Sequence, residues 1–455
     1  MVDRIVSPEI FKLYSDAKLG NPEAQFALGS IYDQGLLTPQ NPTQALKWYQ
    51  EAAAKGDKEA LNNLGVMYEK GIGTERNLEK AFGHFFEAAE KGNLAAQYNV
   101  GYMYAHGYGV EQNIGQAGGW YASAAKKNYY PAVRAYGLLC LNYDFYGENR
   151  LLLAAEAFKI AAEEGNSPDA QNDLGYMYWA GKGVDQDFGV AFRWYYRSAK
   201  QGYSVGQRNL GLCYLNGHGT DVNYEAAVRW LSKAAEQREH GAQTQLGAIY
   251  LHGDGVKRDT AYGLKLLEAA ANDGYVTAQY CLAANYLRGE SVEQDHSKLL
   301  YWARKAASAG HINAITLIGD AYYYGWGVRQ DYQESMKWRR CAAERGDASA
   351  QCILGHHYRT GEGVKADIVQ SYMWYFLSAR QHYPKAHEGL TDVTKRLTIE
   401  QVIEAQHMVK AWNFQETAPN CEVIILSREH FLKRDLAAIN SRRLPARIRP
   451  NDKTP

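Results

Sequence analysis

The sequence of 455 residues contains no run of 18 apolar residues, and its N-terminus has no apolar signal-peptide core. A membrane-spanning helix needs about 20 such residues, so neither a span nor a Sec signal is predicted. Net charge is absent too, because 50 Lys and Arg balance 50 Asp and Glu. This balance indicates no global field that would attract nucleic acid or an anionic membrane. We therefore expect a cytoplasmic protein.

Paired cysteines and the common catalytic motifs are also missing. The six cysteines include no pair at Cys-x-x-Cys spacing, and in a cytoplasmic chain they are expected to remain thiols. None of the motifs GxxxxGK(S/T), HExxH or GxSxG occurs. The adjacent His356 and His357 diverge by about 100° on a helix and cannot share a metal alone. No catalytic residue, metal site, cofactor or small-molecule substrate is predicted.

Glycine and tyrosine, in contrast, are abundant, with 43 and 35 residues, and they recur at a fixed period. A Leu-Gly pair, with small variations, is followed three residues later by Tyr. The period is 36 residues, except for one step of 38 between the fourth and fifth units. Such self-similarity indicates a helical repeat array. The glycine position of the ten units is occupied by Gly29, Gly65, Gly101, Gly137, Gly175, Gly211, Gly247, Ala283, Gly319 and Gly355.

Each unit is predicted to form two helices. In the first, Ala60, Leu64, Gly65 and Tyr68 share one side. An interior glycine costs about 1 kcal/mol, so we expect a neighbouring helix backbone to approach it closely. The helix is expected to end at a left-handed glycine such as Gly71. A short polar residue should cap the second helix, where Trp and an Ala-Ala pair indicate packing between helices. The expected caps are Asn41, Asn77, Asn113, Asp187, Asn223, Asp259, Asp295, Asp331 and Asp367.

We therefore predict an all-α fold, an α/α solenoid of about ten 36-residue helix-turn-helix repeats, because no unit can bury both its helices alone. The fourth unit has Cys140 in place of Tyr and lacks the Gly-x-Gly loop, so a local irregularity is expected there. The sixth has Arg238 where most units have Gly, which indicates another departure.

The repeated pattern Ala-x3-Leu-Gly-x2-Tyr-x2-Gly-x-Gly-Val, then Ala-x2-Trp and Ala-Ala-x2-Gly, resembles the Sel1-like repeat (SLR) family, relatives of the tetratricopeptide repeats. The resemblance implies a right-handed superhelix that assembles protein partners. The ending from Arg396 to Trp412 resembles the family's closing helix pair, with Thr398 and Gln401 as a capping box. The expected domains are an N-terminal capping helix (1–21), ten repeats (22–384), C-terminal capping helices (385–416) and a basic, partly disordered tail (417–455).

The face of the first helix opposite its packed side is expected to line the concave surface. It carries the positions equivalent to Asn62, Val66 and Glu69, which are apolar and aromatic, with arginines between, in units three to eight. Because Tyr, Trp and Arg dominate binding hot spots, this face is the predicted partner-binding site. The leucines on it, such as Leu251, are equally compatible with packing between units. The predicted partner-binding residues are Tyr98, Tyr102, Arg134, Tyr176, Trp179, Arg208, Tyr280 and Tyr323.

The predicted function is a non-catalytic adaptor that holds a protein or peptide in this groove. Two alternatives stay open: a hydrolase or ligand-processing enzyme built on the repeats, and a bacterial effector or immunity-type binding protein. A converging acid–base pair in a deep pocket would favour the enzyme. The tail from Arg428 to Pro455 holds eight Lys or Arg and three acids. It is either a basic arm for nucleic acid or an acidic partner, or a solvated end.

Overall fold

The computed structural model of the chain describes residues 8–144 and 147–412, which form 23 helices and no strand. Helix α1 (Pro8–Lys18) comes first, and α22 (Pro384–Thr394) and α23 (Ile399–Ala411) come last. The first helices of the ten repeats are α2 (Pro22–Gln34), α4 (Lys58–Lys70), α6 (Leu94–His106), α8 (Tyr130–Asn142), α10 (Pro168–Ala180), α12 (Ser204–Asn216), α14 (His240–His252), α16 (Val276–Arg288), α18 (Ile312–Tyr324) and α20 (Ala348–Thr360). The second helices are α3 (Pro42–Ala53), α5 (Leu78–Glu90), α7 (Ile114–Ala125), α9 (Arg150–Glu163), α11 (Phe188–Lys200), α13 (Tyr224–Glu236), α15 (Thr260–Asn272), α17 (His296–Ser308), α19 (Tyr332–Glu344) and α21 (Ile368–Arg380).

The predicted all-α solenoid of helix pairs is confirmed. In repeats one to five and seven to ten, the first helix packs on the second helix of its own repeat. The chain forms two compact units, which divide between Trp230 and Leu231. The predicted tail, residues 417–455, lies outside the described residues. The domain boundaries and the superhelical hand stay predictions.

The predicted helix ends are confirmed. The side chain of Asn77 accepts a hydrogen bond from the backbone N–H of Lys80, and the other eight predicted caps do the same at their own helices. Gly71 ends α4 in the left-handed conformation, at φ 70°. At the far end of the chain, Thr398 and Gln401 form the predicted capping box of α23. These side chains satisfy the free backbone groups at the helix ends.

In six repeats the interior glycine contacts an aromatic ring of the second helix, which differs from the predicted backbone approach; at Gly247 the prediction is confirmed, because a Cβ there would lie 2.9 Å from the backbone carbonyl oxygen of Gly263. A Cβ atom on Gly65 would lie 2.5 Å from ring carbons of Phe85, a residue that is 1% exposed. The glycine is kept because only a residue without Cβ leaves room for the flat ring. The same pairing occurs as Gly29–Tyr49, Gly101–Tyr121, Gly137–Phe158, Gly175–Tyr195 and Gly355–Tyr375.

In six Gly-x-Gly loops the second glycine contacts the preceding repeat. Gly73 has φ 69°, and a Cβ there would lie 2.7 Å from the backbone carbonyl of Pro42 at the start of α3. Gly109 approaches the carbonyl of Leu78 in the same way. The loop therefore has two requirements for glycine, a left-handed backbone and a close contact with the previous repeat.

The expected irregularity in repeat four is confirmed. Helix α8 ends at Tyr143 in an extended conformation, without the left-handed glycine that ends other first helices. Helix α9 has 14 residues and no side-chain cap at Asn149. Arg150 compensates in part, because its Nη1 donates to the carbonyl of Leu141 at 2.7 Å.

The departure expected at Arg238 does not occur. Arg238 adopts φ 60°, the left-handed conformation that Gly202 and Gly274 adopt at the same position in repeats five and seven. The fold of the array therefore imposes the turn on a residue that disfavours it.

The expectation that the cysteines remain thiols is only partly right: Cys140, Cys213, Cys281 and Cys352 are free, whereas Cys341 is disulfide-bonded.

Substitution of Gly65 by Ala should destabilise the protein by about 1–3 kcal/mol, because the new methyl group would overlap the Phe85 ring. The matched control is Gly83→Ala on α5 of the same repeat, where no atom lies within 4 Å of the new Cβ. That change should stabilise by about 0.5–1 kcal/mol through helix propensity. Urea unfolding followed by circular dichroism measures both. Equal effects of the two variants would contradict the ring contact.

Substitution of Arg238 by Gly should stabilise the chain by about 0.5–1 kcal/mol. A left-handed backbone costs a residue with Cβ about 1–2 kcal/mol, and the greater freedom of glycine in the unfolded chain offsets part of that gain. Asn128, at φ 59° in the equivalent turn, is the comparison. Because Asn tolerates this conformation, Asn128→Gly should raise the thermal unfolding temperature less than Arg238→Gly does. A loss of stability in Arg238→Gly would show that the arginine side chain stabilises the turn.

Candidate interaction surface on the first helices

All eight predicted partner-binding residues lie on first helices. We call the surface formed by the positions equivalent to Asn62, Val66 and Glu69 the first-helix face. Tyr98, Tyr102, Arg134, Tyr176, Trp179 and Arg208 belong to the unit that ends at Trp230, and Tyr280 and Tyr323 belong to the other unit. Trp179 is 39% exposed, and the other seven are half-buried.

Polar side chains join neighbouring first helices along this face. The Nδ2 atom of Asn99 donates to Oδ1 of Asn62 at 3.1 Å, and Nδ2 of Asn209 donates to Oδ1 of Asn172 at 2.8 Å. Between these two pairs, Arg134 Nε donates to Asp173 Oδ2 at 2.6 Å. Each contact connects a residue of one repeat to the next residue position in the following repeat. We call this series the polar ladder.

Arg134 is largely enclosed, with 12% of its side chain exposed. Its guanidinium also pairs with Asp169, at 3.0 Å. Burial would lower the pKa of Arg134, but Asp173 and Asp169 outweigh it and raise this pKa above its usual value. The arginine therefore stays charged and lies between two carboxylates. Its first role is to join repeats four and five.

Tyr176 and Trp179 form the most accessible aromatic part of the first-helix face. Their ring centroids are 6.4 Å apart, and Lys182 Nζ lies 5.1 Å above the Tyr176 ring. The same Nζ donates to the Tyr176 hydroxyl at 2.8 Å. The Trp179 indole donates from Nε1 to Nδ1 of His218 in the next repeat at 3.2 Å. These polar contacts orient the two rings, and Trp179 remains 39% exposed.

The remaining predicted residues of the first unit pack more closely. The Tyr98 ring lies 5.6 Å from Tyr121, and burial raises the pKa of the Tyr98 hydroxyl. The Tyr102 ring lies 4.1 Å from His106. Arg208 Nε donates to Oδ1 of Asn209 at 3.3 Å, so this arginine adjoins the polar ladder.

In the second unit, the two predicted tyrosines contact polar groups of the following repeat. The Tyr280 ring stacks on His311 with centroids 4.6 Å apart. The Tyr323 hydroxyl donates to Oε2 of Glu362 at 3.2 Å. Leu251, for which packing and partner binding stayed open, is fully buried, which decides in favour of packing.

Sequence reasoning missed the second residue of each contact in the polar ladder: Asp173 accepts from Arg134, whereas Asn99 and Asn209 donate to Asn62 and Asn172. Asp173, Asn99 and Asn209 were not predicted, although each is offset by one position from the column of Asn62 in the repeat register. A search for polar pairs 37 residues apart would have found Asn62–Asn99 and Asn172–Asn209. It would have missed Arg134–Asp173, because the longer repeat four makes that separation 39 residues.

Two further features bear on catalysis and membranes. A groove of about 720 Å³ lies in the second unit, and its lining includes Tyr322, Arg329, Asp331 and Tyr332. The Asp331 carboxylate caps α19, so it is already engaged and does not serve as one member of a catalytic acid–base pair in this groove. The described residues contain no group of three or more His, Cys, Asp or Glu that could hold a metal ion. None of the described helices is long and apolar enough to cross a membrane.

The repeated helix pairs define a helical repeat protein of the solenoid class. The Sel1 repeat family model matches nine segments: 22–57, 58–93, 94–129, 168–203, 204–238, 240–275, 276–311, 312–347 and 348–383. The chain therefore belongs to the Sel1 repeat family. Between the first and last matched segments, the longest unmatched stretch is 130–167, the irregular repeat four, where α8 and α9 still form a helix pair.

Two solved structures are similar over most of their length. A protective antigen of uropathogenic Escherichia coli with an SLR fold is 28% identical, with a TM-score of 0.53 and coverage of 98% of this chain and 99% of that one. A Sel1 repeat protein from Oxalobacter formigenes is 27% identical, with a TM-score of 0.52 and coverage of 70% and 92%. No curated protein matches the chain.

Replacement of Arg134 by Met should destabilise the protein by about 3 kcal/mol, because Asp169 and Asp173 would lose their shared cation. Arg193→Met is the control, since Arg193 is exposed on α11 and forms no ion pair with a described residue. The control should change the free energy of unfolding by less than about 0.5 kcal/mol. Urea unfolding measures the difference. If Arg134→Met left the free energy of unfolding unchanged, the contacts of Arg134 in the polar ladder would not stabilise the fold.

Proposed function

We propose that the chain is a non-catalytic scaffold that binds a protein or peptide partner on its first-helix face. The observation that carries this proposal is the Tyr176–Trp179 pair, in which an indole remains 39% exposed while polar neighbours fix its orientation. Oriented aromatic side chains lose little conformational entropy on binding, and they dominate the affinity of protein interfaces.

The remainder of the face supports the same role. The polar ladder holds neighbouring first helices together without help from a ligand, so the surface is preorganised. Binding to a preorganised surface avoids the cost of ordering it. Tyr102 and Arg208 extend the face on either side of the Tyr176–Trp179 pair, in repeats three and six. A segment that crosses several repeats would contact all of these residues.

An enzymatic role has weaker support. The histidine whose pKa departs furthest from its usual value, His357, is 1% exposed and faces Arg339. A general acid or base must reach its substrate, and His357 does not. The two similar structures both come from bacteria, which supports a bacterial setting for the scaffold. An effector or immunity-type role would use the same face, and the identity of the partner would distinguish it.

The test is affinity purification of the full chain from the cells that express it, beside a variant with Ala at Tyr102, Tyr176 and Trp179. We expect one stoichiometric protein partner with the unmodified chain and a loss of at least about tenfold with the variant, because truncation of a hot-spot side chain commonly costs more than 1 kcal/mol. The partner is then purified, and its affinity for both chains is measured by calorimetry.

The matched control carries Ala at Tyr196 and Tyr301, which are 39% and 52% exposed on second helices. This control should retain the partner, and all three proteins should have the same helicity by circular dichroism. Retention of the partner by the first-helix variant, or its loss from the control alone, would place the interface elsewhere.

A further inference from the structure

Repeat nine replaces the usual ring with a charged side chain. Arg339 occupies the position that Tyr49, Phe85, Tyr121 and Tyr375 occupy in other repeats, opposite Gly319. It is only 2% exposed. A buried guanidinium is costly unless charges and hydrogen bonds compensate it, so the neighbours of Arg339 should explain its presence.

Arg339 joins both helices that flank it. Its Nη2 donates to Oδ1 of Asp320 on α18 at 2.8 Å, and its Nη1 lies 2.6 Å from Nε2 of His357 on α20. The guanidinium carbon lies 4.5 Å from the centroid of the Tyr323 ring, which gives a cation–π contact. Arg339 Nε is buried and has no partner among the described residues. The network thus links repeat nine to repeat ten.

The contacts of His357 define its protonation state. Its Nδ1 lies 3.0 Å from the backbone carbonyl of Glu362, an atom that can only accept, so Nδ1 carries the proton. Arg339 can only donate, so Nε2 must present its lone pair to Nη1. The contact at 2.6 Å therefore exists only while the imidazole is neutral. A proton on Nε2 would place two donors against each other.

Charged groups from three sides act on His357. Arg339 on α19 and His356 on α20 oppose its protonation, whereas the Glu362 carboxylate, 3.8 Å from Nδ1, favours it. Asp320 and Tyr323 on α18 reach His357 through the arginine and by ring contact, respectively. Burial is the largest effect, and with Arg339 it lowers the pKa of His357 to about 4.

We propose that the Arg339–His357 contact is an acid-sensitive lock between repeats nine and ten, which opens when His357 gains a proton at Nε2. Opening frees Arg339 from α20 and loosens Asp320 and Tyr323, both of which belong to the first-helix face. Acid therefore alters this part of the face, while the six repeats that pair a glycine with an aromatic ring keep that contact. The inference does not depend on the proposed function.

The direction of the effect follows from proton linkage. The opened chain binds the proton near pH 6.5 and the closed chain only near pH 4, so the opened state holds more protons between these values. Closure is fully stable above pH 6.5 and weakens as the pH falls toward 4. At pH 4 the opening equilibrium of repeats nine and ten should rise on the order of 100-fold.

The test is hydrogen exchange of the full chain from pH 7 to pH 4, with labelling times scaled for the chemical exchange rate. We expect protection of α18–α20 to fall on the order of 100-fold, and to fall much less in His357→Gln. A neutral Gln amide can accept from Arg339 and donate to the Glu362 carbonyl at any of these pH values. The control is His387→Gln on α22, an exposed histidine, which should behave like the unmodified chain.

Arg339→Tyr is a second variant, because other repeats already place a tyrosine opposite the glycine. Without the cation, the pKa of His357 should move toward its usual value, and the loss of protection in acid should shrink. The proposal is overturned if His357→Gln loses protection in α18–α20 as the unmodified chain does. It is also overturned if acid lowers the protection of all repeats equally.

Discussion

The packing of this solenoid depends on a space the size of one methyl group, which the interior glycine of the first helix leaves because it has no Cβ. In six repeats an aromatic ring of the second helix lies against a glycine of the first, and a Cβ at that glycine would be 2.5 to 2.8 Å from the ring. An interior glycine weakens an isolated helix by about 1 kcal/mol, whereas a buried ring such as that of Phe85 contributes more than that through its apolar area. The glycine therefore stabilises the helix pair, although it destabilises the first helix when that helix is considered alone.

The exceptions to this pairing follow the same constraint of size. Where the first helix carries Ala283, the equivalent position of the second helix carries Ala303, and both are fully buried. Gly247 faces the backbone carbonyl of Gly263 and the branched side chain of Leu267, and Gly319 faces Arg339. The space is thus filled by whatever side chain fits, and its chemistry is free to vary. Repeat nine uses that freedom to place a charge in the core.

The sequence was sufficient to predict the helix pairs, their caps and their left-handed ends, because each depends on residues within a few positions of one another. It predicted the wrong partner for Gly65, since periodicity shows that a face is packed and does not show what packs on it. The contacts of Arg134 with Asp169 and Asp173 depend on the register between repeats, which the two additional residues of repeat four shift. Arg238 shows the reverse case, in which the array imposes a turn that local propensity disfavours.

The two kinds of contact have different consequences for how such an array changes during evolution. Gly65 and Phe85 belong to one repeat, so duplication of that segment copies the matched pair intact. Asn62 and Asn99 belong to two repeats, as do Arg134 and Asp173, so gain or loss of a repeat between them would separate the partners. The core therefore permits the number of repeats to drift, whereas the polar contacts between first helices preserve their order.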